Sequence, residues 1–195
     1  MGSSARGAAL VDLVFTCAVA VVLAAIAIPA VDAARDRDAA RMAARYLANQ
    51  RPVLRLEALK RNTIVAMRFD PVDLGRFRPY VDGDADGVRQ AHIDQGIDLA
   101  FGHETRLADL FDQVRFRIRT DVPDPDGSGT LPGDSDPLRV GSSNLLSFSP
   151  IGSATSVTIY LAASTGPQMA VRMMGATGRL RVLRYAPSRQ QWLAD

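Results

Sequence analysis

Apolar residues are concentrated at the beginning of the chain, where they form one long block. Leu13 to Ile28 read LVFTCAVAVVLAAIAI without a charge, and the block extends from Ala8 to Val31 with Asp12 as its one charged residue. As a helix, residues 8–31 cover about 36 Å, which exceeds the roughly 30 Å of a bilayer's hydrocarbon core. The pattern therefore predicts a helix that can span a membrane.

Three interpretations of this block compete: a cleaved secretory signal, a buried core helix and a retained membrane anchor. A secretory signal begins with basic residues and ends at a small-x-small cleavage site. Here Arg6 is the one basic residue before the block, and residues 28–33 fit such a site only loosely. A soluble core helix is rarely apolar around its whole circumference. An acidic residue inside a membrane helix is a functional candidate, so Asp12 favours the retained anchor.

The helical pattern continues after the apolar block, over residues 32–61. Met42, Tyr46, Asn49, Val53 and Leu56 form one row at helical spacing, and Ala43, Leu47, Gln50, Leu54 and Ala58 form an adjacent row. This spacing predicts an amphipathic helical stem that packs on another element, most simply a sheet. Pro52 predicts a kink or a local break in the stem. We expect the arginines of this segment on a solvated face rather than in a binding site.

Beyond Arg61 the apolar residues alternate with a period of two, which is typical of strands. The predicted strands are Thr63–Phe69, Val114–Ile118, Leu145–Ser149, Ser156–Leu161, Met169–Met174 and Gly178–Arg184. Gly175 and Gly178 supply the residues of a hairpin connection between the last two strands. The sequence therefore predicts an α+β fold, in which a long N-terminal helix packs on an antiparallel β-domain over residues 62–195.

Composition and charge exclude several classes of protein. The 195 residues are 47% hydrophobic, and 23 basic residues nearly balance 21 acidic ones. These values exclude a disordered tail and a supercharged nucleic-acid binder. Cys17 is the only cysteine, which excludes an internal disulfide or a cysteine-rich metal site. We expect Cys17 to act as a small packing residue within the anchor.

An acidic loop is the one candidate metal site in the pattern. Asp82, Asp84 and Asp86 occupy the first, third and fifth positions of a calcium-type loop, and glycine follows at the sixth. The twelfth position is Ile93 where a calcium loop carries glutamate, although Asp94 or Asp98 could supply the missing ligand. Two interpretations stay open: a calcium site, or an acidic surface turn that binds no cofactor.

No catalytic site is visible in the sequence. His92 and His103 have no accompanying serine elbow or metal-binding pair, so we expect both on the surface. No glycine-rich phosphate loop precedes a helix. A second acidic segment, residues 121–136, is rich in proline and glycine and is predicted to be a mobile connection. The sequence therefore does not favour an enzyme.

The N-terminal motif carries a family resemblance. Gly7 precedes the small residue Ala8, Asp12 is fifth from Ala8, and Pro29 is twenty-second. In this register the chain resembles the type IV pilin family, including the pseudopilins of type II secretion. The resemblance implies that prepilin peptidase removes residues 1–7 as a leader and that Ala8 becomes the mature, usually methylated N-terminus. Ala8 stands where the family usually has Phe, and Asp12 where it usually has Glu.

Physical chemistry supplies a role for Asp12 in such a protein. A buried carboxylate near the start of a membrane helix can be neutralised by a free α-amino group, which in a filament can belong to the next subunit. That pair would also fix the axial register of assembly. The alternative is that Asp12 lies solvated among the lipid headgroups and has no role.

Flanking charges predict the orientation of the anchor. Arg6 and the initial amine precede it, whereas the charged residues from Asp32 to Asp38 sum to minus one. The positive-inside rule therefore keeps the N-terminus in the cytoplasm and exports the chain beyond Val31. For a pilin-like protein this means the bacterial inner membrane, with the C-terminal domain in the periplasm.

Later segments resemble the GspH/FimT branch of the family. The resemblance rests on Ser147–Gly152 before the strand VTIYL, on Met169–Arg172 before Thr177–Val182, and on Trp192. It implies a minor pilin or pseudopilin whose partners are other pilins, the lipid bilayer and the inner-membrane assembly platform. Its expected role is protein secretion or pilus function.

A Gly-Arg-x-Arg motif near the C-terminus indicates an alternative role. On a strand, Arg179 and Arg181 point to one face at about 6.6 to 6.8 Å, close to the phosphate repeat of a nucleic-acid backbone. Arg172, Arg184 and Arg189 could extend the patch. The motif resembles the DNA-binding element of FimT-like minor pilins that act in DNA uptake. A solvated strand face is the other interpretation.

Overall fold

One helix, α1 (Ser3–Arg61), accounts for nearly the first third of the chain. The computed structural model describes residues 3–70, 73, 75–127, 129–141 and 143–195, and the side chains from residue 13 onward except those of 29 and 33. Contacts divide the chain into two units, Met1–Arg35 and Asp36–Asp195. Helix α1 continues through Pro52, so the predicted local break is wrong. Burial of Leu47 and Leu54 on either side of Pro52 offsets the lost backbone hydrogen bond.

The rest of the chain is mainly short strands. In chain order these are β1 (Val65–Phe69), β2 (Arg76–Val81), β3 (Leu99–Ala100), β4 (Thr105–Arg106), β5 (Arg115–Phe116), β6 (Val122–Pro123), β7 (Thr130–Leu131), β8 (Leu138–Arg139), β9 (Leu145–Phe148), β10 (Val157–Ala162), β11 (Gln168–Met174), β12 (Arg179–Ala186) and β13 (Gln191–Ala194). Two short helices, α2 (Gln90–Gln95) and α3 (Leu107–Leu110), and a 3-10 turn (Pro187–Arg189) complete the fold.

The strands form two main antiparallel sheets. Sheet A has the order β3-β2-β1-β9, with β4 also paired to β2. Sheet B has the order β13-β12-β11-β10-β5, with β8 also paired to β10. Strands β6 and β7 form a separate hairpin. The α+β class, with a long apolar N-terminal helix and antiparallel sheets, is thus confirmed.

The main core lies between the stem of α1 and one face of each sheet. Sheet A contributes Val65, Met67 and Phe69, and sheet B contributes alternate residues of β10 and β11. From the stem, Ala43, Leu47, Leu54 and Ala58 are at most 5% exposed, and Ala40 and Ala44 are also buried. The other predicted row, which begins at Met42, is largely exposed to solvent, since Met42, Val53 and Leu56 are all more than half exposed. Small alanines allow the helix backbone to approach the sheets closely.

A second, smaller core covers the opposite face of sheet B. Tyr160, Leu183 and Tyr185 pack there with Val122 of the β6–β7 hairpin. The indole Nε1 of Trp192 donates a hydrogen bond of 2.7 Å to the carbonyl oxygen of Pro123. The segment predicted to be a mobile connection, residues 121–136, therefore contains regular structure. This segment contains a hairpin that shields apolar residues from water.

A polar contact joins the stem to the turn between β10 and β11. The Asp36 carboxylate is buried and accepts hydrogen bonds from the amide and the hydroxyl of Thr165, both at 2.7 Å. Gly166 adopts φ +83°, and an added Cβ there would lie 3.3 Å from the Arg37 amide nitrogen. Glycine is therefore required both for the turn and for its close approach to the helix.

Candidate functional site

The first unit presents an apolar surface that nothing in that unit covers. Ten large apolar side chains between Leu13 and Val31 are 42–68% exposed. Among the described residues, α1 is the one helix whose length and composition would allow it to cross a membrane. The predicted processing and assembly residues Gly7, Ala8, Asp12 and Pro29 fall within α1, but their side chains lie outside the described residues.

The two arginines of the Gly-Arg-x-Arg motif lie on one strand. Arg179 and Arg181 are both exposed on β12, on the face of sheet B that is opposite the main core. The turn before them contains Gly178, which adopts φ +58°. Register places Arg172 of β11 directly opposite Arg181, and Thr158 and then Arg139 continue the same row across β10 and β8. The fold thus assembles a longer basic row than the motif alone indicates.

Carboxylates neutralise part of this basic row. Asp126 lies at the end of the β6–β7 hairpin, 2.5 Å from the Arg172 guanidinium, and also accepts the Thr158 hydroxyl. Asp124 is 3.7 Å from Arg139. The sequence also offered Arg184 as an extension, and this is wrong: Arg184 pairs with Met169 of the main core, so it lies on the other face of sheet B, 3.9 Å from Asp195. Within the described part of the chain, Arg179, Arg181 and Arg189 have no ion pair, and Arg179 and Arg181 carry free positive charge on this face of sheet B.

The acidic loop is organised by two buried carboxylates. Asp82 accepts hydrogen bonds from the amides of Asp84, Ala85 and Gly87 at 2.8–3.2 Å. Asp98 accepts from the amides of Gly83 and Arg89 at 3.0 and 2.8 Å. An added Cβ on Gly83 would lie 2.1 Å from the Ile97 carbonyl oxygen, so glycine is needed for this closure.

The structure regroups the predicted calcium ligands. Asp82, Asp84 and Asp98 bring carboxylate oxygens within 4.8 Å of one another, whereas Asp86 groups with Asp84 and His92. The His92 Nδ1 atom lies 3.3 Å from Asp84 and 3.4 Å from Asp86, so the histidine that was predicted to lie on the surface contacts the acidic loop, and its side chain is 18% exposed. Calcium binding by this loop stays a prediction. Sequence spacing indicated Asp98 as a substitute ligand but could not place His92.

Ile93, at the twelfth loop position, is partly buried. It packs against a small cluster of Ala66, Val88 and Leu145. An apolar side chain at this position attaches helix α2 to sheet A. The loop therefore departs from the calcium-loop pattern for a structural reason.

Comparison with known proteins identifies no relative: no family model matches the chain, and neither the curated proteins nor the solved structures contain a significant match. The observations define an α+β protein with a helix long and apolar enough to span a membrane. Its function has to be argued from the surfaces described above.

Proposed function

We propose that the chain is a minor pilin or pseudopilin of the GspH/FimT type, a structural subunit that assembles through its N-terminal helix. The observation that carries the proposal is an apolar helical segment whose large side chains are exposed in the folded chain. The same segment contains Gly7, Asp12 and Pro29 in the register of that family.

Exposure of the anchor has a large energetic cost in water. Burying one large apolar side chain fully is worth about 1.5–3 kcal/mol, so ten of them at 42–68% exposure represent roughly 10–18 kcal/mol. This is as large as the net stability of a typical domain, which is about 5–15 kcal/mol. The segment therefore requires an apolar environment from outside the chain.

Two successive environments would meet this requirement. The bilayer covers the helix before assembly, when the positive-inside rule places the N-terminus in the cytoplasm and the β-domain in the periplasm. After prepilin peptidase removes residues 1–7, helices of neighbouring subunits cover it in a secretion pseudopilus or a type IV pilus. The assembly platform of the inner membrane transfers the subunit between the two.

Asp12 supplies the polar contact of the assembled state in this proposal. Its carboxylate would pair with the free α-amino group of a neighbouring subunit, in surroundings of low dielectric where an unpaired charge is costly. Each pair would fix one subunit's axial position relative to the next. Pro29 would sit in the same helix bundle, where neighbouring helices compensate for its missing amide donor.

Filament incorporation tests this role of Asp12. Tagged wild type, Asp12→Asn and Asp12→Glu are expressed in a cell that assembles such filaments, and sheared filaments are probed for each. We expect wild type and Asp12→Glu in the filament fraction and Asp12→Asn only in the membrane fraction, because only the first two keep the charge. Equal incorporation of Asp12→Asn would contradict the proposal.

DNA binding during uptake is a second candidate function. Exposure of Arg179 and Arg181 on one strand face, without a carboxylate partner in the described structure, favours it. Each phosphate that a protein neutralises steepens the salt dependence of binding by about 0.9. Loss of both arginines should therefore reduce the slope of log K against log salt by about two.

The DNA test uses the full chain in a neutral detergent with a duplex at several salt concentrations. The double variant Arg179→Ala/Arg181→Ala is compared with Arg76→Ala/Arg106→Ala, which removes the same charge from carboxylate-paired arginines on sheet A. We expect only the first pair to weaken binding. Equal loss in both would show that net charge alone attracts DNA, and no loss in either would exclude the Gly-Arg-x-Arg strand.

A further inference from the structure

Two arginines face each other on sheet A, on the side away from the main core. Register pairs Arg68 of β1 directly with Arg78 of β2. Met67 and Phe69, which flank Arg68 in sequence, point into the main core, so Arg68 points outward. Like charges directly opposite on an antiparallel pair repel each other and destabilise the sheet. This arrangement calls for a compensating negative charge.

Neither arginine is fully satisfied within the described structure. The Nε atoms of both Arg68 and Arg78 are buried and have no hydrogen-bond partner. The guanidinium of Arg68 lies 3.4 Å from the Asp94 carboxylate, whose side chain is 64% exposed. Such an exposed ion pair contributes little to the stability of the fold. The Arg78 side chain has no ion pair or hydrogen bond to a described residue. Buried donors without acceptors are rare in folded proteins.

The nearby carboxylates are engaged elsewhere. Glu104 and Asp73 both pair with Arg76, at 3.1 and 3.0 Å. Asp70 accepts a hydrogen bond of 3.0 Å from the Asp73 amide in the turn between β1 and β2. Asp70, Asp73 and Glu104 are therefore all engaged in local contacts. The opposed pair of guanidiniums is left with an excess of positive charge.

A small cavity opens beside the two arginines. It has a volume of about 90 Å³, and its charged lining consists of three arginines and two carboxylates: Arg68, Arg76, Arg78, Asp70 and Glu104. A water molecule takes up about 30 Å³ in the liquid, so the cavity has room for one small oxyanion. The surface that lines it is mainly polar, which suits a charged ligand rather than an apolar one.

We propose that Arg68 and Arg78 form a binding site for a phosphate dianion. Guanidinium groups bind phosphate through two parallel hydrogen bonds, and both arginines line the cavity. Two charges on the ligand match two guanidiniums, so binding converts a repulsive pair into an attractive three-part cluster. A carboxylate would neutralise only one of them. The site is independent of the proposed assembly function.

Thermal unfolding of the full chain in a neutral detergent tests the site. Inorganic phosphate is titrated from about 1 to 50 mM at constant ionic strength with chloride, because a ligand that binds only the folded state raises the melting temperature. We expect a concentration-dependent rise for wild type, none for Arg78→Gln, and the wild-type rise for Arg181→Gln. The last variant removes the same charge from sheet B.

Two further measurements keep the outcome unambiguous. Without phosphate, Arg78→Gln should melt at or above the wild-type temperature, because it removes a like-charge pair; this also shows that the variant folds. Dimethyl phosphate, a monoanion like the phosphodiesters of lipids and nucleic acids, should leave the melting temperature unchanged. An equal rise with phosphate in Arg78→Gln would overturn the site, and an equal effect of dimethyl phosphate would overturn the assignment to a dianion.

Discussion

Helix α1 has two parts that differ in what surrounds their apolar residues. Between Leu13 and Val31, large apolar side chains are 42–68% exposed, and the most apolar stretch of this part has no buried residue. Between Ala40 and Ala58, the row that includes Leu47 and Leu54 is at most 5% exposed against the two sheets. The two parts of one helix thus have different surroundings. In the stem the partner is within the chain, and in the anchor it has to come from outside.

The stem of helix α1 belongs to the folded core, whereas the anchor is the part that we propose acts in assembly. The stem contributes to the stability of the β-domain, because its alanines and leucines complete the main core. No described side chain before Ala39 belongs to that core, and in the proposed function the anchor exchanges lipid for the helices of other subunits. Variants in the two parts should therefore change different measurements.

Removal of residues 1–31 should have the largest effect on the partitioning of the chain into detergent and almost none on the stability of the β-domain. We expect residues 32–195 to stay in the aqueous phase of a detergent phase separation, whereas the full chain moves to the detergent phase. Trp192, the only tryptophan, reports unfolding of the β-domain. The unfolding midpoint of the truncated chain should equal that of the full chain. A full chain that stays in the aqueous phase, or a truncated chain that does not unfold cooperatively, would contradict the comparison.

A matched pair of leucine substitutions should separate the two parts energetically. Leu47→Ala removes a buried side chain from the core and should lower the free energy of unfolding by about 2–5 kcal/mol. Leu23→Ala removes an exposed one and should change it by less than about 0.5 kcal/mol. Urea unfolding of each full chain in a neutral detergent, followed by Trp192 fluorescence, measures both. Similar losses for the two variants would mean that the anchor also packs on the β-domain.

Near the boundary between the two parts, the Asp36 carboxylate should contribute to the free energy of unfolding. Asp36→Ala leaves the amide and hydroxyl of Thr165 without their acceptor and should cost about 1–3 kcal/mol. Asp38→Ala changes an exposed residue two positions away and serves as the control. The same urea experiment checks both. Equal stability of the two variants would show that the contact to Thr165 does not hold the stem.

The smallest effect is expected from the exposed row of the stem. Leu56→Ala should change the free energy of unfolding by less than about 0.5 kcal/mol, because Leu56 is 51% exposed. Leu54→Ala, two residues earlier, should cost about 2–5 kcal/mol, because Leu54 is buried. If Leu56→Ala were as costly as Leu54→Ala, the assignment of the buried row would be wrong.

The long strands were predictable because their apolar residues alternate. Strands β1, β10, β11 and β12 fall within one or two residues of the predicted bounds. Strand β2 was missed because Arg76, Arg78 and Pro79 break the apolar pattern, although Phe77 and Val81 pack in the main core. The β6–β7 hairpin was missed because its strands have two residues each, too few for a period to be visible.

Contacts between distant residues explain what the sequence could not show about the sites. Asp36 and Thr165 are 129 positions apart, and no local pattern links them. Asp126 neutralises Arg172 through a hairpin that sequence spacing gave no reason to expect. Asp98 was foreseeable as a partner of Asp82 and Asp84 because the acidic loop lacked its last ligand. The opposed pair of Arg68 and Arg78 depends on strand register, which only the missed strand β2 could provide.

The mature N-terminus tests the central claim most directly. The full chain is co-expressed with a prepilin peptidase in bacteria, and the intact mass of the purified protein is measured with and without the peptidase. We predict the loss of residues 1–7, so that the chain begins at Ala8, and no loss in a Gly7→Val variant. An unchanged mass, or a cut near residue 33, would contradict a retained anchor that assembles as a pilin.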